Sequence, residues 1–214
     1  MSVPRAAAGS RCFRSGGPVP RCRSTSPHPP PTRKRKLPEE AVMNVYAVLA
    51  RLIDYPSDTL VEHLDEAHAH LANDSTLGRD EKQALLATVE WMRELAPLDL
   101  QAEYVQTFDT VPENALYMTH HTFGDSRERG PALVELGMYY RKVGFAPQEG
   151  ELPDYLPLML EFVARLDAAS AGDFLAEAAP ILTQLASNLE LAENRYAPLL
   201  RFVADRGQCA RTAA

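Results

Sequence analysis

At 214 residues the chain is long enough for one sizeable domain, and 45% hydrophobic and 24% charged residues are ordinary for a soluble globular protein. No apolar run approaches the roughly 18–20 residues that a membrane-spanning helix needs, so stable membrane insertion is not expected. The three cysteines, Cys12, Cys22 and Cys209, lie near the chain ends, so no disulfide framework braces the middle. That usage suits a reducing cytoplasm.

The charge is uneven. Residues 1–42 hold nine Arg/Lys against two Glu, a net of +7, and eight of the seventeen prolines. The whole chain carries −7, so residues 43–214 carry −14. With almost no large apolar side chains, the first segment cannot bury enough surface to offset the entropy of ordering, and it reads as a disordered basic extension. Its "RKRK" at 33–36 would suit nucleic acid or an import signal. The plainer reading is a solvated tail or an upstream start, because Met43 opens a helical pattern cleanly. A secretory signal is not expected, since no apolar stretch follows the basic residues.

From Met43 the pattern is helical. Val45, Val48, Leu49, Leu52 and Ile53 form one amphipathic stripe, and Pro56 ends it by disfavouring helical geometry at Tyr55. Ser57 caps a second helix running to about Leu71, with Leu60, Val61, Leu64, Ala67 and Leu71 on its apolar face. After the turn cluster "NDSTLG", a third helix covers about 80–96, and "PLDL" starts a fourth that ends near Asp109. Residues 110–130 read as mostly irregular and polar. Pro131 fits the first turn of a fifth helix, and Gly144, Pro147 and Gly150 mark the loop after it. "LPDYLPLMLEFVARL" is a sixth, tolerating its prolines if Asp154 is its N-cap. Helices at about 173–191, kinked or divided at Pro180, and 194–205 complete the chain. With no alternating Val/Ile/Thr-rich strands, residues 43–206 read as a single all-α helical-bundle domain of about seven to eight helices, followed by a flexible tail at 207–214.

The densest chemistry is "THHTFGDSRERGPALVELG", residues 119–137. His120 and His121 are adjacent, so on a helix they point about 100° apart and do not readily share one ion. The i, i+4 histidine pair of H-E-x-x-H is absent. Ser126 lacks the G-x-S-x-G elbow, and no cysteine lies within the folded core. The glycines and flanking arginines of 119–130 could still build an anion-binding nest, which keeps a small-anion or metal-dependent helical enzyme as the alternative function. Nucleic acid would be repelled by a domain of −14. Such a domain better suits a basic partner segment, drawn in by charge and held in apolar grooves between helices. The residues alone thus rank an interaction module above an enzyme.

Two longer phrases, "LDLQAEYVQTFDTVPENALYMTHHTFGDSRERGPALVELG" (98–137) and "GELPDYLPLMLEFVA" (150–164), resemble the NarJ group of redox-enzyme assembly chaperones, within the wider TorD/DmsD-like family. The resemblance covers about residues 43–205. It implies an all-helical cytoplasmic chaperone without catalytic residues, metal or cofactor of its own. Its partner would be the catalytic (alpha) subunit of respiratory nitrate reductase, bound through its N-terminal segment while molybdenum cofactor is inserted. The family's Tyr-x-x-x-Phe element falls on Tyr104 and Phe108, whose i, i+4 spacing puts both rings on one helix face. The wider family's Pro-Asp-His step reads Pro153-Asp154-Tyr155, a departure that weakens transfer of any imidazole role. Partner-peptide binding is expected at Tyr104, Phe108, His120, His121, Asp125, Arg127, Arg129, Asp154, Tyr155 and Glu161.

Overall fold

Asn44 starts the first helix and also fastens it to a distant one. In the computed structural model, which describes residues 44–147 and 150–213, its side chain accepts from Ala47 N at 3.2 Å while its Nδ2 donates to Ala164 O at 2.9 Å. One residue thereby caps α1 (Val45–Leu52) and seats it against the end of α8 (Leu156–Val163). The stripe expected for α1 is the buried one: Leu49, Leu52 and Ile53 are fully enclosed. The expectations placed on residues 1–42, the disordered extension and its basic run, lie outside the described residues.

Ser57 caps the second helix as expected, but that helix breaks at His63 into α2 (Asp58–Glu62) and α3 (Leu64–Asn73). The bundle continues through α4 (Arg79–Glu94) and α5 (Pro97–Tyr104). A π-helical turn, Val105–Asp109, extends α5, closed by Thr110 N donating to Val105 O at 2.9 Å. After a short 3-10 turn at Pro112–Asn114 comes α6 (Met118–Phe123), a helix inside the stretch expected to be irregular. α7 (Arg129–Lys142) carries Pro131 in its first turn, and α9 (Ala168–Leu191) and α10 (Ala197–Ala213) follow α8. The described residues thus contain ten α-helices, more than the seven or eight expected, and no strands beyond one isolated bridge.

Two expectations about the last helices are corrected. Pro180 does not divide α9, which runs unbroken from Ala168 to Leu191 with the proline on its exposed side, where water can serve the carbonyl it leaves unbonded. The chain also does not loosen after residue 206. α10 continues to Ala213 and packs on α9, with Gly207 buried at the closest approach. A Cβ at 207 would sit 2.6 Å from Leu175 O, so only glycine allows this spacing. Trp91, Tyr104, Phe108 and Tyr196 join the core as edge-on and tilted aromatic contacts, with ring centroids 5.0 to 6.2 Å apart.

Gly207→Ala tests the seam between α9 and α10. Helix propensity alone would favour alanine by about 1 kcal/mol. The clash with a backbone carbonyl should outweigh it and destabilise the protein by about 1–3 kcal/mol in urea unfolding. A more stable variant would contradict the close approach.

Candidate functional site

Two stretches far apart in the sequence meet through a pair of backbone hydrogen bonds. Met118 N donates to Asp154 O at 3.0 Å and Leu156 N donates to Leu116 O at 2.8 Å, forming an antiparallel bridge between Tyr117 and Tyr155. The crossing places the Asp154 side chain, fully buried, beneath the start of α6. α6 has no side-chain cap of its own. Asp154 Oδ2 supplies one from 35 residues away, accepting from Thr119 N at 3.1 Å and from the Thr119 hydroxyl. Arg129, opening α7, donates from Nε to Thr119 Oγ1 at 3.0 Å and holds Nη2 at 3.5 Å from Asp154 Oδ2. Asp154 Oδ1 is buried without a hydrogen-bond partner among the described residues.

Around this centre, three further contacts fix the loops. His121 Nε2 lies 2.6 Å from Ala115 O; a carbonyl only accepts, so the ring proton is on Nε2. Tyr140 OH donates to Pro153 O at 2.8 Å. A chain of phenols runs inward: Tyr155 OH donates to Asp54 Oδ1 at 2.9 Å, leaving its oxygen to accept from Tyr104 OH at 3.0 Å. Burial holds the Tyr104 and Tyr155 phenols well above the usual tyrosine range, and Asp54 pushes the same way. Tyr117, half-buried and tilted over Tyr155 at 5.2 Å, is also raised, first by burial and then by Asp154, Asp109 and Asp54. Two aromatic rings and several carboxylates therefore gather at one corner of the bundle.

The sequence-derived candidates divide among different places. Asp154, Tyr155 and Arg129 meet at the crossing, with His121 beside it. His120 stands edge-on to His121 at 5.8 Å, and Asp125 and Arg127 are exposed in the turn between α6 and α7. Glu161 lies on the seam between α1 and α8, 3.9 Å from Arg51. Tyr104 and Phe108 do not wall an open groove. Only 3% and 4% exposed, they pack under the site against Tyr55 and Tyr196. Asp154 does not cap its own helix: Tyr155 occupies that position, and the aspartate turns to α6 instead.

Residues that sequence reasoning missed are Asp54, Tyr117, Thr119 and Tyr140. Tyr117 and Thr119 sit in a quoted phrase, but nothing in local spacing pairs Thr119 with a residue 35 positions on. Among the described residues, no group of three or more His, Cys, Asp or Glu side chains could hold a metal ion, and no helix is long and apolar enough to cross a membrane.

Comparison with known proteins bears directly on this geometry. The family model described as "Nitrate reductase delta subunit" matches residues 58–201, which include every member of the crossing except Asp54. The chain belongs to the nitrate reductase delta subunit family. It is 36% identical over 152 residues to the nitrate reductase molybdenum cofactor assembly chaperone NarJ of Escherichia coli K12, covering 71% of this chain and 64% of that protein. The chain thus spans less than two thirds of that relative's length. The probable chaperone NarJ of Bacillus subtilis is 35% identical over 155 residues, covering 72% of this chain and 83% of the relative. The nitrate reductase-like protein NarX of Mycobacterium tuberculosis matches over 125 residues at 35% identity, 58% of this chain but 18% of that longer protein.

For this family member the phenol chain sets an alkaline limit. Raised pKa values mean that the folded state holds these protons more tightly than the unfolded chain. Their contribution is complete below the ordinary tyrosine value of 10.0 and is lost as pH rises above it. Tyr155→Phe should cost about 1–3 kcal/mol at neutral pH by leaving the buried Tyr104 hydroxyl without its acceptor, and should flatten the stability loss above pH 10. Urea unfolding of both proteins at neutral and alkaline pH measures this. An unchanged alkaline slope would refute the phenol chain.

Proposed function

We propose that this protein is a system-specific chaperone. It binds the N-terminal tail of the apo nitrate reductase catalytic subunit in the cytoplasm and supports insertion of the molybdenum cofactor before membrane docking. The observation that carries the reading is its 35–36% identity to proteins named as molybdenum cofactor assembly chaperones. The chemistry of the crossing agrees with a basic, amphipathic partner segment. The half-buried Tyr117 and Tyr155 offer aromatic faces beside the partly exposed Asp54, where a guanidinium can stack and find a carboxylate. The −14 charge of residues 43–214 draws such a segment in.

In this reading the work is done by shape and desolvation rather than by covalent chemistry. Tyr117 and Tyr155 contact the tail, while His120, His121, Asp125 and Arg127 line its approach. Tyr104 and Phe108 support the tyrosines from beneath, and Arg129 and Asp154 hold α6 in place. Glu161 adds charge along the α1–α8 seam. The exposed charges of the turn should each contribute only about 0.2–1 kcal/mol and fade with salt, so aromatic contact carries most of the affinity.

Calorimetric titration of the full chain tests this, with a peptide from the N-terminus of the host's nitrate reductase catalytic subunit. A scrambled peptide of equal charge is the control, at low and moderate salt. The expected result is selective binding that persists at moderate salt. Tyr117→Ala should weaken it by roughly tenfold or more, about 1.4 kcal/mol, and Arg127→Ala by less than about fivefold. Equal binding of the scramble, or a larger effect at Arg127 than at Tyr117, would contradict the proposal.

A further inference from the structure

α7 buries one side and leaves the other bare. Tyr140 is enclosed with Phe145, Leu158 and Phe162, and Leu136 packs against that cluster. The opposite face, Pro131, Val134, Glu135, Met138, Arg141 and Lys142, is exposed at every position. Eight large hydrophobic residues are exposed among the described residues, and four of them, Val134, Met138, Tyr139 and Val143, lie on α7 or at its end. On the bare face itself the large apolar residues are Val134 and Met138, since Tyr139 stacks on Phe174 at 5.9 Å, and such an adjoining pair is a place for another surface to dock. No described element covers it, so the question is what does.

The charge pattern selects the occupant. Glu135 and Lys142 are seven residues apart, two helical turns or about 10 Å, on the same flank of the exposed face. Met138 lies midway between them along the axis, and Val134 and Arg141 are placed likewise on the other flank. Neither Glu135 nor Lys142 has an ion pair among the described residues. A face with a negative end and a positive end, arranged about a central apolar residue, is complementary to itself when reversed. A parallel copy would set Glu135 against Glu135, and a uniformly basic or acidic segment would match only half of the face.

We propose that this face is the interface of a twofold-symmetric homodimer. Two α7 helices pack antiparallel, with Met138 at the axis. Each Glu135 lies opposite the partner's Lys142, and each Val134 lies on the aliphatic stem of Arg141 of the partner subunit. Such an isologous contact closes on itself and leaves no sticky end for further growth. One fourteen-residue helix is about 21 Å long and about 10 Å across, so its face offers well under the roughly 800 Å² per partner of a standard interface, and the dimer is weak and forms with concentration. The inference does not rest on the chaperone reading, since the Tyr117–Tyr155 corner and the outward face of α7 use different residues.

Sedimentation equilibrium of the full chain, from about 1 to 300 µM at low salt, tests it. Wild type should pass from monomer to dimer within that range. Met138→Arg should remove the dimer. Glu135→Lys and Lys142→Glu should each weaken it at least tenfold, and the two together should return it to within about twofold of wild type. All three positions altered are exposed, so circular dichroism should show unchanged folding. A wild type that stays monomeric throughout overturns the proposal, as do single charge reversals without effect or a double reversal that fails to restore association.

Discussion

The architecture of the site depends on one buried carboxylate. Asp154 belongs by sequence to the approach to α8, yet its hydrogen bonds go to the first turn of α6. A six-residue helix with polar side chains and no local cap has little reason to form by itself. Asp154 gives it one, and Arg129 compensates the charge while tying the start of α7 to the same point. Burying a carboxylate costs several kcal/mol unless it is paired and hydrogen-bonded, so the three residues are worth having only together. The arrangement remains incomplete, because one oxygen of Asp154 has no donor among the described residues. That makes the corner a firm but not fully satisfied junction, in contrast to the apolar seam of α9 and α10.

The aromatic residues divide between two tasks. Tyr104, Phe108 and Tyr196 fill the core, and the π-helical turn after Tyr104 lets the chain leave α5 while keeping both Thr107 and Phe108 inward. Tyr117 and Tyr155 lie at the surface end of the same set, linked to it through a hydroxyl–hydroxyl contact. A disturbance at this half-buried pair thus reaches Asp54, just past the end of α1, through the single hydrogen bond from Tyr155. Tyr155 is what makes this link. Its phenol is neutral across the physiological range and donates to Asp54, where an imidazole would add a titrating group.

Much of the fold was legible because helix faces follow from local spacing. The α1 stripe, the Ser57 cap, the Pro131 first turn and the paired faces of Tyr104 and Phe108 all stand as the periodicity implies. Periodicity says which residues share a face, but not whether that face meets solvent or core. The rings of Tyr104 and Phe108 were therefore placed correctly relative to each other and wrongly relative to the surface. α6 was missed because its cap is remote in sequence, and Asp154 was assigned to the nearest helix for the same reason. Pro180 and Gly207 show the converse: both are helix-weakening residues in isolation, and the tertiary setting, exposure for one and a close neighbour for the other, decides their effect.

The central claim is that the crossing of residues 115–119 with 152–156 is where the partner tail is received. Hydrogen exchange of the full chain, with and without the catalytic-subunit peptide, tests that most directly. The account predicts slowed amide exchange across 115–129 and 152–156, where the backbone is held by few bonds, and little change along α9 and α10. Protection confined to α9 and α10, with the crossing unaffected at saturating peptide, would contradict it.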